Sequence, residues 1–228
     1  KQGDIINICL AKKPLSLQYI RKKLDGGTLS KKEIEEIIND IVNNRLSSIE
    51  LTYFVSACYT HALDTKETIM LVKAMVNCGS TLKLNKYPII DKHCIGGVPG
   101  NRTTMIIVPI IAAAGLTIPK TSSRSITSPS GTADTMEVLT NVCLNLNQMK
   151  RVVNKTNGCI VWGGSLNLAP ADDKIIKVER PLEINAESQF LASIMAKKMS
   201  VSSTHILIDI PVGKSTKLEG MKLAKNLK

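Results

Sequence analysis

Asp91-Lys92-His93-Cys94-Ile95-Gly96-Gly97-Val98-Pro99-Gly100-Asn101-Arg102-Thr103-Thr104 carries the chain from a short strand through a glycine-rich turn into an apolar helix. Gly96, Gly97 and Gly100 let a ligand approach the backbone without Cβ interference. The helix that follows turns its unpaired N–H groups and the positive end of its dipole toward the same point. Lys92 adds a charge there, and Thr103 and Thr104 add hydroxyl donors. The segment therefore predicts an anion site in an α/β fold. The alternative, an ordinary strand-to-helix turn, loses ground because a second such segment follows.

That second segment is Lys120-Thr121-Ser122-Ser123-Arg124-Ser125-Ile126-Thr127-Ser128-Pro129-Ser130-Gly131-Thr132, after another short apolar run and before a predicted helix over 134–139. Serine and threonine hydroxyls can donate to phosphate oxygens, and the Arg124 guanidinium can do so bidentately. Loops at the carboxyl ends of parallel strands gather around one ligand, so the two segments are expected to converge.

Around them the chain divides in character. Ser30-Lys31-Lys32-Glu33 and Ser47-Ser48-Ile49-Glu50 read as capping boxes, the first opening a helix with Ile34, Ile37, Ile38, Ile41 and Val42 on one face. A further helix spans 65–78 and stops at Gly79. From Ile89 onward short apolar strands alternate with helices, the α/β pattern. The predicted fold class is thus α/β with a separate small all-α domain, its parallel or mixed sheet flanked by helices. The apolar run 105–116 predicts a buried helix ending at Gly115 and is too short to span a membrane.

The run Lys92 to Asn101, together with Lys120 to Leu139, Trp162-Gly163-Gly164, Ala169-Pro170-Ala171-Asp172-Asp173, Glu179-Arg180-Pro181-Leu182 and Asp209-Ile210-Pro211-Val212-Gly213, resembles the thymidine phosphorylase and AMP phosphorylase family. The likeness covers roughly residues 16–217 and is greater to the AMP branch in the second loop. It implies phosphorolysis of the N-glycosidic bond of a nucleoside or nucleoside monophosphate, with inorganic phosphate as co-substrate and no cofactor or metal. It places phosphate at Lys92, Cys94, Thr103, Ser123 and Thr132, and the base at His93, Arg180, Ser193 and Lys197. Nucleotide-binding positions fall at Gly97, Ser123, Arg124, Ser125, Ile126, Thr127, Ser128, Thr132, Ser193 and Lys217. The resemblance further implies a homodimer through a helical domain of residues 1–79 completed by a helix over 185–200, and an α/β domain of residues 80–184 and 201–228, with family members extending beyond this segment on both sides.

Two positions depart from the family. Cys94 stands where serine is usual, giving either a tolerated near-isostere or a thiol acidified beside Lys92 at a helix N-terminus. Asn185 stands where the AMP branch has an aspartate assigned as proton donor; it cannot titrate, which favours a pyrimidine leaving group, although asparagine also makes a good N-cap. His93 is the alternative proton source by its ordinary titration range. These departures keep a second reading open, a catalytically weakened phosphate- or nucleotide-binding protein of the same fold.

The 228 residues carry 30 Lys and Arg against 19 Asp and Glu, a net +11, which makes nucleic acid the competing partner. The basic residues are dispersed and aromatics are only 3%, so the field is better suited to steering phosphate and nucleotide inward. The six cysteines form no Cys-x-x-Cys pair and read as reduced thiols of a cytoplasmic protein.

Overall fold

The computed structural model describes residues 13–96, 98, 101–125, 130–182, 186–214, 216, 218 and 220–227. Four helices come first: α1 (Ser16–Leu24), α2 (Lys31–Val42), α3 (Ser48–Thr60) and α4 (Thr65–Asn77). Each of the last three opens on a reciprocal capping box, Ser30 with Glu33, Ser47 with Glu50 and Asp64 with Glu67, so two otherwise unpaired backbone N–H groups are satisfied at each start. The third box does more. Glu67, 1% exposed, also accepts the Leu29 N–H at 2.7 Å and the Lys23 ammonium at 3.0 Å, tying α4 to α1.

The remainder alternates: β1 (Ile90–Cys94), α5 (Thr103–Ala113), β2 (Ile118–Ser122), α6 (Thr132–Glu137), α7 (Leu146–Thr156), β3 (Gly158–Trp162), α8 (Pro170–Leu182), α9 (Glu187–Ser200), β4 (His205–Asp209) and α10 (Met221–Leu227). β1 pairs in parallel with β4, and β2 in parallel with β3. A parallel bridge from Ile89 to Thr117, with the Ile90 N–H donating to the Thr117 carbonyl at 2.7 Å, joins the two pairs in the order β4-β1-β2-β3. Among the described residues every strand pair is parallel.

Two apolar cores result. Ile34, Ile37 and Ile38 of α2, Phe54 of α3 and Leu71 and Met75 of α4 form the first with Ile175 of α8 and Ala192 and Ala196 of α9. The second gathers Leu82, Met149, Val153, Val161, Leu168 and Val201 around β3. Packing thus carries α8 as well as α9 onto the first four helices, whereas sequence divides the chain at residue 185 and returns only the later helix.

One expectation is corrected. The helix expected to be buried over 105–116 is α5, and of its residues only Val108 is fully buried, while Ile106 and Ile110 are each 60% exposed. The helix lies on β2 and β3 along one side only, and hydrophobicity all round a helix does not say which faces find a partner. No described helix is long and apolar enough to cross a membrane.

Candidate active site

The carboxyl ends of β1 and β2 and the last turn of α9 meet at one place. Side chains alternate along β1, so Asp91 and His93 take one face and Lys92 and Cys94 the other. Lys92 is buried, with its ammonium 3.1 Å from Asp209 on β4. Asp91 is fully buried; one oxygen accepts the Lys92 N–H at 2.7 Å, and the other lies 2.7 Å from the Lys198 ammonium of α9. Lys120 of β2, also buried, approaches Asp91 at 3.9 Å and donates to the Thr121 carbonyl. Lys197 pairs with the buried Asp172 of α8 at 2.7 Å.

Burial and this concentration of lysines together set the state of His93. Burial, and then the charges of Lys198, Lys120, Lys197 and Lys92, push its imidazole down to about 2. His93 is therefore neutral around pH 7, and the expectation that it supplies a proton by ordinary titration is corrected. Lys120 is pushed down to about 7 by burial and by Lys198 and Lys92, with Asp91 only partly offsetting them. Lys197 goes the other way: burial pulls its ammonium down, but Asp172 at hydrogen-bond distance, with Asp173 and Glu179, more than offsets this and raises it.

At the exit of β1 one side chain closes the loop. Asn101 donates from Nδ2 to the Cys94 Sγ at 3.4 Å, and its Oδ1 accepts the Thr103 N–H at 3.0 Å and the Thr103 hydroxyl at 2.6 Å. Cys94 and Thr103 are thereby held on either side of the turn. Gly96 has φ +91°, a left-handed conformation that a side chain would strain. The Cys94 thiol is not acidified: burial raises it, Asp209 adds to that, and the Gly96 N–H and Lys92 oppose it without prevailing.

At the exit of β2, Arg124 is turned away from the role its residue type suggested. Its guanidinium binds Asp134 at 3.0 Å and Glu137 at 2.6 Å, and stacks on Trp162 with the ring centre 4.7 Å away. Asp134 also accepts the N–H groups of Ser125 and Gly131 at 2.7 and 2.9 Å. These contacts fix the loop instead of leaving a free fork for phosphate. Gly131 passes so close to this strand exit that a Cβ would lie 2.6 Å from the Ser123 carbonyl.

Ser123 is exposed at the strand exit, Thr132 begins α6, Ser193 lies on α9 one turn before Lys197, and Arg180 is exposed in the last turn of α8. Gly97, Ile126, Thr127, Ser128, Asn185 and Lys217 lie outside the described residues. Ile95 and Ile194, neighbours of Cys94 and Ser193, line an apolar cavity of about 500 Å³ together with Met195, Ile208, Val212 and Met221. Sequence reasoning missed Asp91, Asn101, Lys120, Asp172, Lys198 and Asp209. The available signal was a pair of lysines, Lys92 and Lys120, each inside a short strand that the sheet then buries.

Comparison with known proteins accords with this geometry. The glycosyl transferase family matches through its a/b domain over residues 86–203 and through its helical bundle domain over residues 17–79. The chain is 54% identical over 99% of its length to the AMP phosphorylase of Pyrococcus furiosus, and 52% identical over 99% to that of Methanococcus vannielii. It spans 45% of the length of each, a little under half. Among solved structures it resembles anthranilate phosphoribosyltransferase (TrpD) from Thermus thermophilus, with a TM-score of 0.69, 16% identity, and coverage of 84% of this chain and 57% of that one.

Proposed function

We propose, because this chain belongs to the glycosyl transferase family that joins a helical bundle to an α/β domain, that the protein cleaves the N-glycosidic bond of a nucleoside or nucleoside monophosphate with inorganic phosphate. A phosphate oxygen attacks the anomeric carbon, the bond to the base breaks, and its electron pair leaves with the base. The products are a free base and a sugar 1-phosphate, or a 1,5-bisphosphate from a monophosphate. The supporting observation is the set of buried lysines on β1, β2 and α9, Lys92, Lys120 and Lys198, with which, among the described residues, the carboxylates Asp91 and Asp209 are paired. Three buried lysines with two carboxylates between them leave capacity for the charge of an anion.

In this reading Lys92, Cys94, Thr103, Ser123 and Thr132 hold phosphate, and Arg180, Ser193 and Lys197 polarise the base. Neutral His93 offers it a hydrogen bond and no proton. The apolar cavity lined by Ile95, Ile194 and Ile208 gives the flat base room. Inorganic phosphate is the only co-reactant the scheme requires. The relatives named AMP phosphorylase favour a nucleoside monophosphate, whereas Asn185 and a neutral His93 favour a base whose leaving charge cations can hold without ring protonation. The weakened binding protein is favoured by the same Asn185 and by the raised thiol of Cys94.

Phosphate-dependent release of free base from AMP, adenosine, thymidine, uridine and cytidine by the full natural protein tests the proposal. Release from one of them fixes reaction and substrate class together. Phosphate binding without release from any of them would establish the binding protein instead.

A further inference from the structure

The cations of the site are not equally provided for. Lys198 has Asp91 at 2.7 Å, Lys92 has Asp209 at 3.1 Å, and Lys197 has Asp172 at 2.7 Å. Lys120 reaches a carboxylate only at 3.9 Å, on the Asp91 oxygen that already accepts the Lys92 N–H, while the other oxygen of Asp91 serves Lys198. Its own hydrogen bond goes to a neutral acceptor, the Thr121 carbonyl. Among the described residues, Lys120 is thus the cation of this cluster without a carboxylate to itself, and it is 5% exposed.

Lys92 and Lys120 are each the third residue past the bridge between Ile89 and Thr117, on adjacent strands just before the two loops, and the Lys92 charge is among those that lower Lys120. A charge entering above Lys92 is felt at Lys120 through a water-poor interior, where Coulomb interactions are several times stronger than in bulk.

We propose that Lys120 is the proton-accepting partner of anion binding: it is largely neutral in the empty site and takes a proton from solvent when phosphate, or the phosphate of a nucleotide, enters. The inference rests on the anion site proposed above. The step balances simply, an amine and a solvent proton giving an ammonium, with nothing oxidised or transferred to the substrate.

The surroundings agree from every side. From β1 come Asp91, Lys92 and His93, from α9 Lys197 and Lys198, and from β3 Cys159, whose thiol burial pushes up to about 12. α5 carries no titratable residue, and Lys150, Arg151 and Lys155 of α7 are exposed. Burial and two neighbouring ammonium groups hold Lys120 near 7, whereas His93 at about 2 would need a shift of several units to titrate in the same range. With Lys120 about one-quarter protonated at about pH 7.5, binding a dianion takes up as much as about three-quarters of a proton per site.

The test is titration calorimetry of the full natural protein with sulfate, whose own charge is constant at this pH, in two buffers of different ionisation enthalpy near pH 7.5. The dependence of the observed heat on buffer gives the protons taken up. The wild type is expected to take up most of one proton. Lys120→Arg, permanently charged, is expected to bind with none, and Lys120→Met to bind more weakly, also with none. His93→Gln is expected to retain the uptake. Uptake that survives in Lys120→Arg, or vanishes in His93→Gln, overturns the inference, as does wild-type binding without uptake. Failure of sulfate and inorganic phosphate to bind at all overturns the anion site itself. Uptake in a protein that releases no base leaves the inference standing and refutes the phosphorolysis.

Discussion

Neutral His93 has a consequence for stability that can be measured without any substrate. In the unfolded chain the imidazole titrates near its ordinary value, about 6.5, whereas in the fold burial and four ammonium groups push it down to about 2. Between these values the unfolded chain binds a proton that the fold does not, so stability is fully present above about pH 6.5 and is lost as pH falls. From about pH 7 to pH 5 the loss attributable to His93 is about 2 kcal/mol, from ~1.4 kcal/mol per unit below the unfolded value. Lys120, held near 7, contributes only about 0.4 kcal/mol over the same interval, and that contribution is common to the two proteins compared. The assay is urea denaturation of the wild type and His93→Gln at both pH values in a buffer free of phosphate and sulfate. The difference between the two proteins should shift by about 2 kcal/mol against the wild type at the lower pH. An unchanged difference, or a His93 ring proton whose NMR shift titrates with a midpoint near 6.5, would refute the argument that burial and the lysines hold this residue neutral.

The remaining predictions concern the supports. Glu67→Ala should cost about 3–5 kcal/mol in urea denaturation, because it leaves the Lys23 ammonium buried and unpaired, and Lys23→Met with Glu67→Met should recover much of that. Asn101→Ala removes the bonds that hold Thr103 and Cys94 across the turn, about 1–3 kcal/mol of positioning, so the KM for phosphate should rise roughly tenfold with little change in the unfolding midpoint. Arg124→Gln should lower the unfolding midpoint slightly, and Glu137→Gln should reproduce most of that shift, since both break one exposed ion-paired network over Trp162. A hundredfold rise in phosphate KM in Arg124→Gln without loss of stability would instead restore Arg124 as a ligand.

What could be read from the sequence was local. The capping boxes of α2 and α3 are encoded within four residues, and the strand exits at Cys94 and Ser122 are marked by glycine and hydroxyl clusters beside them. The reading failed where a partner comes from elsewhere. Arg124 stands among hydroxyls, but the carboxylates that claim it lie 10 and 13 residues onward, brought round by α6. α5 is apolar on all sides, and only the placement of β2 and β3 shows that Val108 faces inward and Ile106 outward. His93 carries no sequence sign of its depressed titration, because its burial is a product of the fold and the lysines that add to it come from β1, β2 and α9. Charge state is a property of the assembled cluster, and residue type gives only its starting value.

α9 shows how that assembly is fixed. Ala192 and Ala196, both fully buried in the first core, let the helix lie close against α4, while Ser193, Lys197 and Lys198 are offset from them around the helix toward the sheet. At its start, Ser188 accepts the Leu63 N–H at 3.4 Å from the helical side. At its end, the Ser200 carbonyl accepts the Leu82 N–H at 2.7 Å, and its hydroxyl donates to the Leu168 carbonyl at 3.1 Å beside the second core. The helix is therefore a strut pinned to both cores, and the 2.7 Å contact between Lys198 and Asp91 inherits its geometry from packing far from any ligand. A lysine is flexible and strongly hydrated, and its burial beside a carboxylate is tolerated only where the surrounding structure holds both in place. The alanine face of α9 supplies that constraint, so the electrostatics of the site depend on small residues that carry no charge at all.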